Sequence, residues 1–347
     1  KTARDGAKAA DAALEAAIAR GADAVLGGLP KSGHTVYRTY SALPFLALTV
    51  NRQALEALQA DPRVTSTEID EAMPVPEPPA TGGAKGASSQ AGTAQPALDS
   101  VANLNWGPPK VGADVAWSKG YTGAGWYVAI LDTGIRRTHE FFAGKTIVEA
   151  CFSANANCPG GTTTAYGTGS AAHYANTYTA YDHGTHCAGI ATGKKADGSV
   201  AGVAKDANLI AVQVFSITGA TSIGSYSSDQ LSALNYVYSL RNTYSIAAAS
   251  MSLGSTAVTN TPCDTSAAQK SGIDLLRSVN IATTIATGNA GSCDGISSPA
   301  CVSTSIAVGS STSTDEESSF NNWDPNLQTL FAPGTGIYSS TGDTDVS

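Results

Sequence analysis

Residues 126–134 read Trp-Tyr-Val-Ala-Ile-Leu-Asp-Thr-Gly. A short unbroken apolar run closed by a turn-forming Asp-Thr-Gly describes a strand buried on both faces, not one side of an exposed sheet. Working outward, Leu209–Val214, Ile246–Met251, Ile281–Ala286 and Ser305–Val308 have the same character. Helical stretches lie between several of them, as in Ser228–Leu240, where Leu231, Leu234, Val237 and Leu240 form one stripe. Buried strands alternating with helices predict an α/β fold, a parallel sheet with helices on both faces. In such sheets chemistry collects in the crevice beyond the carboxyl ends of the strands. Three strand exits therefore stand out: Asp132-Thr133-Gly134, Ser252-Leu253-Gly254 and Thr287-Gly288-Asn289.

Composition narrows the function. The chain has 347 residues, which at ~150 per domain predicts about two domains. Lys and Arg number 20 against 28 Asp and Glu, a net charge of −8, which argues against nucleic acid as a partner. Eighteen apolar residues never occur in a row, so no spanning helix and no membrane partner are expected. Hydrophobic residues at 42 % exclude wholesale disorder. TGAGW precedes its strand, and no glycine-rich phosphate loop opens a helix, so a nucleotide-binding enzyme is not expected.

The composition breaks near residue 74, where PVPEPPATGGAKGASSQAGTAQPA (74–97) reads as a linker. Before it, Val36–Tyr40, Phe45–Val50 and Val64–Ile69 read as strands, and Asn51 caps a helix with Ala54, Leu55 and Leu58 on one face. Residues 1–73 are thus a small α+β unit and 98–347 the larger one. Of the six cysteines, Cys151/Cys158 and Cys293/Cys301 each frame a polar loop and are read as two local disulfides, which belong to an oxidising compartment. The start KTARDG carries no leader, so an exported protein would have lost its leader upstream.

Each exit has an ordinary reading beside a chemical one. Asp132 serves as a turn former or as the orienter of a partner side chain. In Asp182-His183-Gly184-Thr185-His186-Cys187-Ala188-Gly189, two histidines three apart suggest metal ligands, but no third ligand follows at a recognisable spacing. A single reactive imidazole, His183, at a helix start fits better, with Gly184 allowing close backbone approach and His186 structural. Asn289 either forms a turn or aims its amide N–H at a developing oxyanion. Ser252, Leu253 and Gly254 either end a strand or pair with an extended peptide.

In this order, LDTG, DHGTHCAG, SMSLG, ATGNAG and FAPG (Phe331–Gly334) closely resemble the subtilisin-like serine proteases, whose triad runs Asp, His, Ser along the chain. The first unit resembles that family's inhibitory propeptide through Tyr40–Phe45 and through Ala54–Leu58, Asp61–Val64 and Glu68. The resemblance implies a subtilisin-like catalytic domain preceded by a ferredoxin-like propeptide domain, with processing between Glu77 and Asp99. It implies Asp132 as orienter, His183 as general base and then acid, Asn289 as oxyanion donor, and Ser252, Leu253, Gly254 and Gly288 along the substrate cleft. It makes Cys187 a free thiol. It further implies a secreted, extracellular and monomeric endopeptidase, acting on polypeptides and inhibited by its own propeptide. No cofactor serves catalysis and no catalytic metal is assigned; structural Ca²⁺ is expected, its ligands unassigned. One departure is decisive: the family's Gly-Thr-Ser-Met-Ala motif does not occur, and Ser339, Ser340 and Ser347 lack its context. The chain is read as a precursor fragment that is inactive without its nucleophile. The rival reading is a non-catalytic peptide-binding pseudo-protease.

Overall fold

A computed structural model describes residues 2–75 and 105–342. The smaller unit comprises α1 (Thr2–Gly27), β1 (His34–Thr39), β2 (Leu46–Val50) and α2 (Arg52–Ala60), with β1 and β2 antiparallel. The Asn51 side chain caps α2 by accepting from the Ala54 N–H at 2.9 Å, and Ala54 and Leu58 are its buried face. α1 was not anticipated, because its signal is a run of alanines with high intrinsic helix propensity and not an apolar stripe.

The strand expected at Val64–Ile69 does not form. Glu68 and Asp70 instead turn their carboxylates to the larger unit, and the chain becomes extended only at β3 (Ala72–Pro74). There the edge of β9 (Ile223–Tyr226) offers a partner, with Ala72 opposite Tyr226 and Pro74 opposite Gly224. Among the described residues the smaller unit thus holds α1, α2 and the strand pair β1–β2, with β3 leading out of it. Of the residues read as linker, Pro74 belongs to this strand and Val75 is buried in the core of the larger unit; residues 76–97 and the expected processing region lie outside the described residues.

The larger unit begins with two short helices, α3 (Gly107–Lys110) and α4 (Ala113–Ser118). β4 (Tyr127–Asp132), β5 (Ile147–Phe152), β6 (Thr164–Tyr166), β7 (Asn208–Gln213), β10 (Ile246–Met251), β12 (Ala282–Ala286), β14 (Ile306–Ser311) and β15 (Leu330–Pro333) form one sheet. Its order is β15-β14-β12-β10-β4-β7-β5-β6, parallel except for the β5–β6 pair. β8 (Ser216–Ile217) continues the small sheet β3-β9-β8, and β11 (Val258–Thr259) pairs with β13 (Ile296–Ser297). The larger helices are α5 (His183–Thr192), α6 (Ser227–Leu240) and α7 (Ala267–Arg277).

Both faces of the sheet are covered, as the unbroken apolar runs require. Along β4, Ala129 and Leu131 join a core with Leu234 of α6 and Leu276 of α7. Ile130 points the other way, into a second core with Ala188 of α5 and Phe141. Each such fully buried Leu or Ile contributes roughly 1.5–3 kcal/mol. A third cluster joins the units, Tyr40 and Leu43 packing on Leu231.

Cys151 and Cys158 are bonded as expected. Cys301, however, bonds Cys263 and not Cys293, which is exposed and free. Pairing of β13 with β11 holds Cys301 beside Cys263, whose N–H donates to the Cys301 carbonyl at 3.1 Å. Among the described residues, no helix is long and apolar enough to cross a membrane.

Candidate active site

β4, β10 and β12 are neighbours and run parallel, with Ser250 level with Ile130 and Met251 level with Ile285. Their carboxyl ends therefore open at one edge, about 4.8 Å apart from strand to strand. The three exits singled out in the sequence, after Asp132, Met251 and Ala286, lie on that edge. Gly254 and Gly288 both close on Ser297: a Cβ on Gly254 would stand 3.2 Å from the Ser297 Cβ, and one on Gly288 2.4 Å from its Oγ. The segments Ser252–Gly254 and Thr287–Gly288 are thereby drawn to one side chain.

Asp132 is buried at the last position of β4, and His183 is the first residue of α5. The His183 Nδ1 lies 2.8 Å from the Asp132 Oδ1, which also accepts the Thr133 N–H at 2.7 Å. Thr133 ties the strand exit to the helix, its Oγ1 donating to the Tyr181 carbonyl and accepting the Gly184 N–H at 2.9 Å. Gly184 is required by proximity: a Cβ there would lie 2.3 Å from the Gly134 carbonyl oxygen and 3.0 Å from the Asp132 Cβ.

Cys187, one turn along α5, is a free thiol with its sulfur 3.8 and 3.9 Å from the two ring nitrogens of His183. Burial works against a charged ring, but the adjacent Asp132 carboxylate and then Cys187 outweigh it. The imidazole therefore holds its proton well above the ordinary histidine range. Asp132, His183 and Cys187 also form the one His/Cys/Asp/Glu group with metal-ligand spacing among the described residues. His186 is not part of that group. The group's sulfur and nitrogen donors do not suit Ca²⁺, which takes oxygen ligands.

Asn289 follows β12 on a loop whose turn is made by Gly288 at φ +108°. The brace of that loop is Asn322, which sequence reasoning missed. Fully buried, it accepts from the N–H groups of Ala290 (2.9 Å) and Ser292 (3.1 Å) and donates to the Thr287 carbonyl at 3.2 Å. Its N–H also donates to the Gly288 carbonyl at 3.1 Å. The doublet Asn321-Asn322 in a serine-rich stretch was the only signal. Ser339 and Ser340 are buried with their hydroxyls donated to the carbonyls of His186 and Thr185, both at 2.8 Å. They tie the chain to α5.

A histidine hydrogen-bonded to a buried aspartate at the open edge of a parallel sheet, with an asparagine on a braced loop at the exit of a strand two places along, defines the class: an α/β protein with a paired carboxylate and imidazole at the carboxyl edge of its sheet. The family follows from comparison with known proteins. The Peptidase S8 model of the Subtilase family matches residues 123–347, and the chain belongs to that family. Alkaline serine exoprotease A of Vibrio alginolyticus is 29 % identical over 295 residues, 84 % of this chain and 45 % of that protein. The cuticle-degrading serine protease of Arthrobotrys oligospora is 32 % identical over 228 residues, 64 % of this chain and 46 % of that protein. The extracellular serine proteinase of Thermus sp. is 31 % identical over 313 residues, 89 % of this chain and 62 % of that protein. The chain thus spans somewhat under half the length of the first two relatives.

Proposed function

We propose that the complete protein is a secreted serine endopeptidase that cuts polypeptides through an acyl-enzyme. In this reading residues 1–73 are its autoinhibitory propeptide. The observation that carries the reading is the 2.8 Å contact between Asp132 and His183 at the shared edge of β4, β10 and β12. With Nδ1–H directed at Asp132, the His183 Nε2, freed of its own proton once the pH exceeds the raised pKa of the ring, is the atom left to take a proton from a serine hydroxyl. That serine attacks the scissile carbonyl, and the amide of Asn289 stabilises the oxyanion. The imidazolium then protonates the leaving amine, and water, deprotonated by the same ring, releases the acyl group.

The serine itself is assigned to a part of the protein beyond residue 347, so the chain of residues 1–347 is expected to be inactive. An extended segment, Ala72–Pro74, already pairs with β9, which supports a cleft closed by the smaller unit until it is cut away. Catalysis draws on no cofactor in this reading; Ca²⁺ serves stability through oxygen ligands outside the Asp132–His183–Cys187 group, and the enzyme acts as a monomer. The same β9 pairing favours a second reading, a peptide-binding module without hydrolysis. Fluorophosphonate labelling of the complete natural gene product, with the adduct mapped by mass spectrometry, separates the two. A labelled serine beyond residue 347, lost in His183→Ala, is the expected result. A full product that takes no label leaves only the peptide-binding module.

A further inference from the structure

We propose that the larger unit carries a socket for a guanidinium group, filled here by Arg38 and open to the arginine of another polypeptide when the smaller unit is displaced. Arg38 reaches across from β1 and is almost wholly buried. Its Nη2 lies 2.6 Å from the Asp229 Oδ1 and donates to the Thr163 carbonyl at 2.7 Å, while its Nη1 donates to the Thr164 hydroxyl at 2.8 Å. The guanidinium carbon stands 5.7 Å from the centre of the Phe152 ring. All four partners belong to the larger unit.

The larger unit also holds the carboxylate from its other side. Asp229, completely buried in the first turn of α6, accepts the Ala154 N–H on its other oxygen at 2.8 Å. The Ser216 hydroxyl reaches that oxygen at 3.4 Å and is itself 2.8 Å from the Ser153 hydroxyl. A carboxylate oriented in this way needs no reorganisation to accept a cation. Left alone it would be costly, since removing one partner of a buried pair strands the other charge. Burial pushes the Asp229 carboxyl up to about 6, against the pull of the Arg38 charge beside it.

Recognition falls on the two terminal nitrogens, because the Arg38 Nε is buried without a partner. Planar, forked donors meet three acceptors that a single ammonium cannot reach with the same geometry. Asp229 lies three residues beyond Tyr226, the end of the β9 edge that pairs with Ala72–Pro74. The smaller unit engages both features, Arg38 of β1 in the socket and Ala72–Pro74 on the strand edge, and another arginine-bearing polypeptide has the same two to engage. Use by a second polypeptide rests on the reading of residues 1–73 as displaceable; the socket itself does not.

The test uses the full chain carrying Arg38→Ala and the probe N-ethylguanidinium at concentrations below those that denature. Arg38→Ala is expected to lower the Tm, and ethylguanidinium to raise it saturably. Ethylammonium should have no such effect, and the double variant Arg38→Ala/Asp229→Asn should not respond. Recovery of Arg38→Ala only when it is refolded with ethylguanidinium counts equally for the socket. No saturable rise, an equal rise with ethylammonium, the same response in the double variant, or recovery with neither cation overturns it. No step reads proteolysis, so this result stands or falls apart from the labelling result.

Discussion

His183 and Asp132 form a charge pair whose strength is readable in solution. Because the folded chain holds the imidazole proton to a higher pH than the unfolded chain does, the pair's contribution to stability is complete below pH ~6.5 and is lost as pH rises through the folded pKa. Titration of the His183 ring by NMR should give a pKa above the ordinary value, and Asp132→Asn should lower it markedly. In the complete protein the same substitution is expected to reduce kcat by about 10⁴, the loss that a mis-set tautomer causes in serine proteases of another fold. Gly184 is the second residue on which the site depends. A Cβ there would be forced against the Gly134 carbonyl, a backbone atom that cannot swing aside. Gly184→Ala should therefore destabilise by about 1–3 kcal/mol in urea unfolding, the usual cost of overpacking.

Elements in the larger unit are tied by crosslinks of unequal reach. Cys263–Cys301 spans 38 residues and Cys151–Cys158 spans 7. Loop-closure entropy assigns about 4 kcal/mol to the longer link and about 2 kcal/mol to the shorter. Cys263→Ser should accordingly lower the Tm more than Cys151→Ser, each measured with the other bridge intact. The local bridge was legible because its two cysteines flank one short loop. The longer one was not, because its partner is chosen by the pairing of β11 with β13, a tertiary contact. Similar limits explain the strand expected at Val64–Ile69: its residues suit a strand, but a strand needs a partner edge, and the edge lies beside Ala72–Pro74.

At the scale of the whole molecule, the smaller unit is held on the ends of two helices. The Glu68 carboxylate accepts the Ala267 N–H at 2.7 Å where α7 begins, and Asp70 accepts the Ser228 N–H at 3.0 Å where α6 begins. Helix starts favour carboxylates through their unpaired N–H groups and their dipoles. Arg241 of the larger unit pairs with Asp11 of α1 as a third tie. Glu68→Ala and Asp70→Ala should each cost about 1 kcal/mol, as loss of a cap does. Amide exchange at Ala267 and Ser228 should speed up accordingly, and unchanged exchange would show that the caps do not hold the units together. By itself the sequence determined five buried strands (β4, β7, β10, β12 and β14), their parallel arrangement, the exits carrying Asp132, Ser252–Gly254 and Asn289, and the helix start at His183. Those features rest on runs of neighbouring residues whose polarity and turn chemistry act locally. Only the tertiary structure decided that Asn322 braces the Asn289 loop, that Cys263 takes Cys301, that β3 joins β9, and that Arg38 enters the Asp229 socket. Each of these joins residues far apart in the chain, and a side chain's polarity states that it needs a partner without stating which.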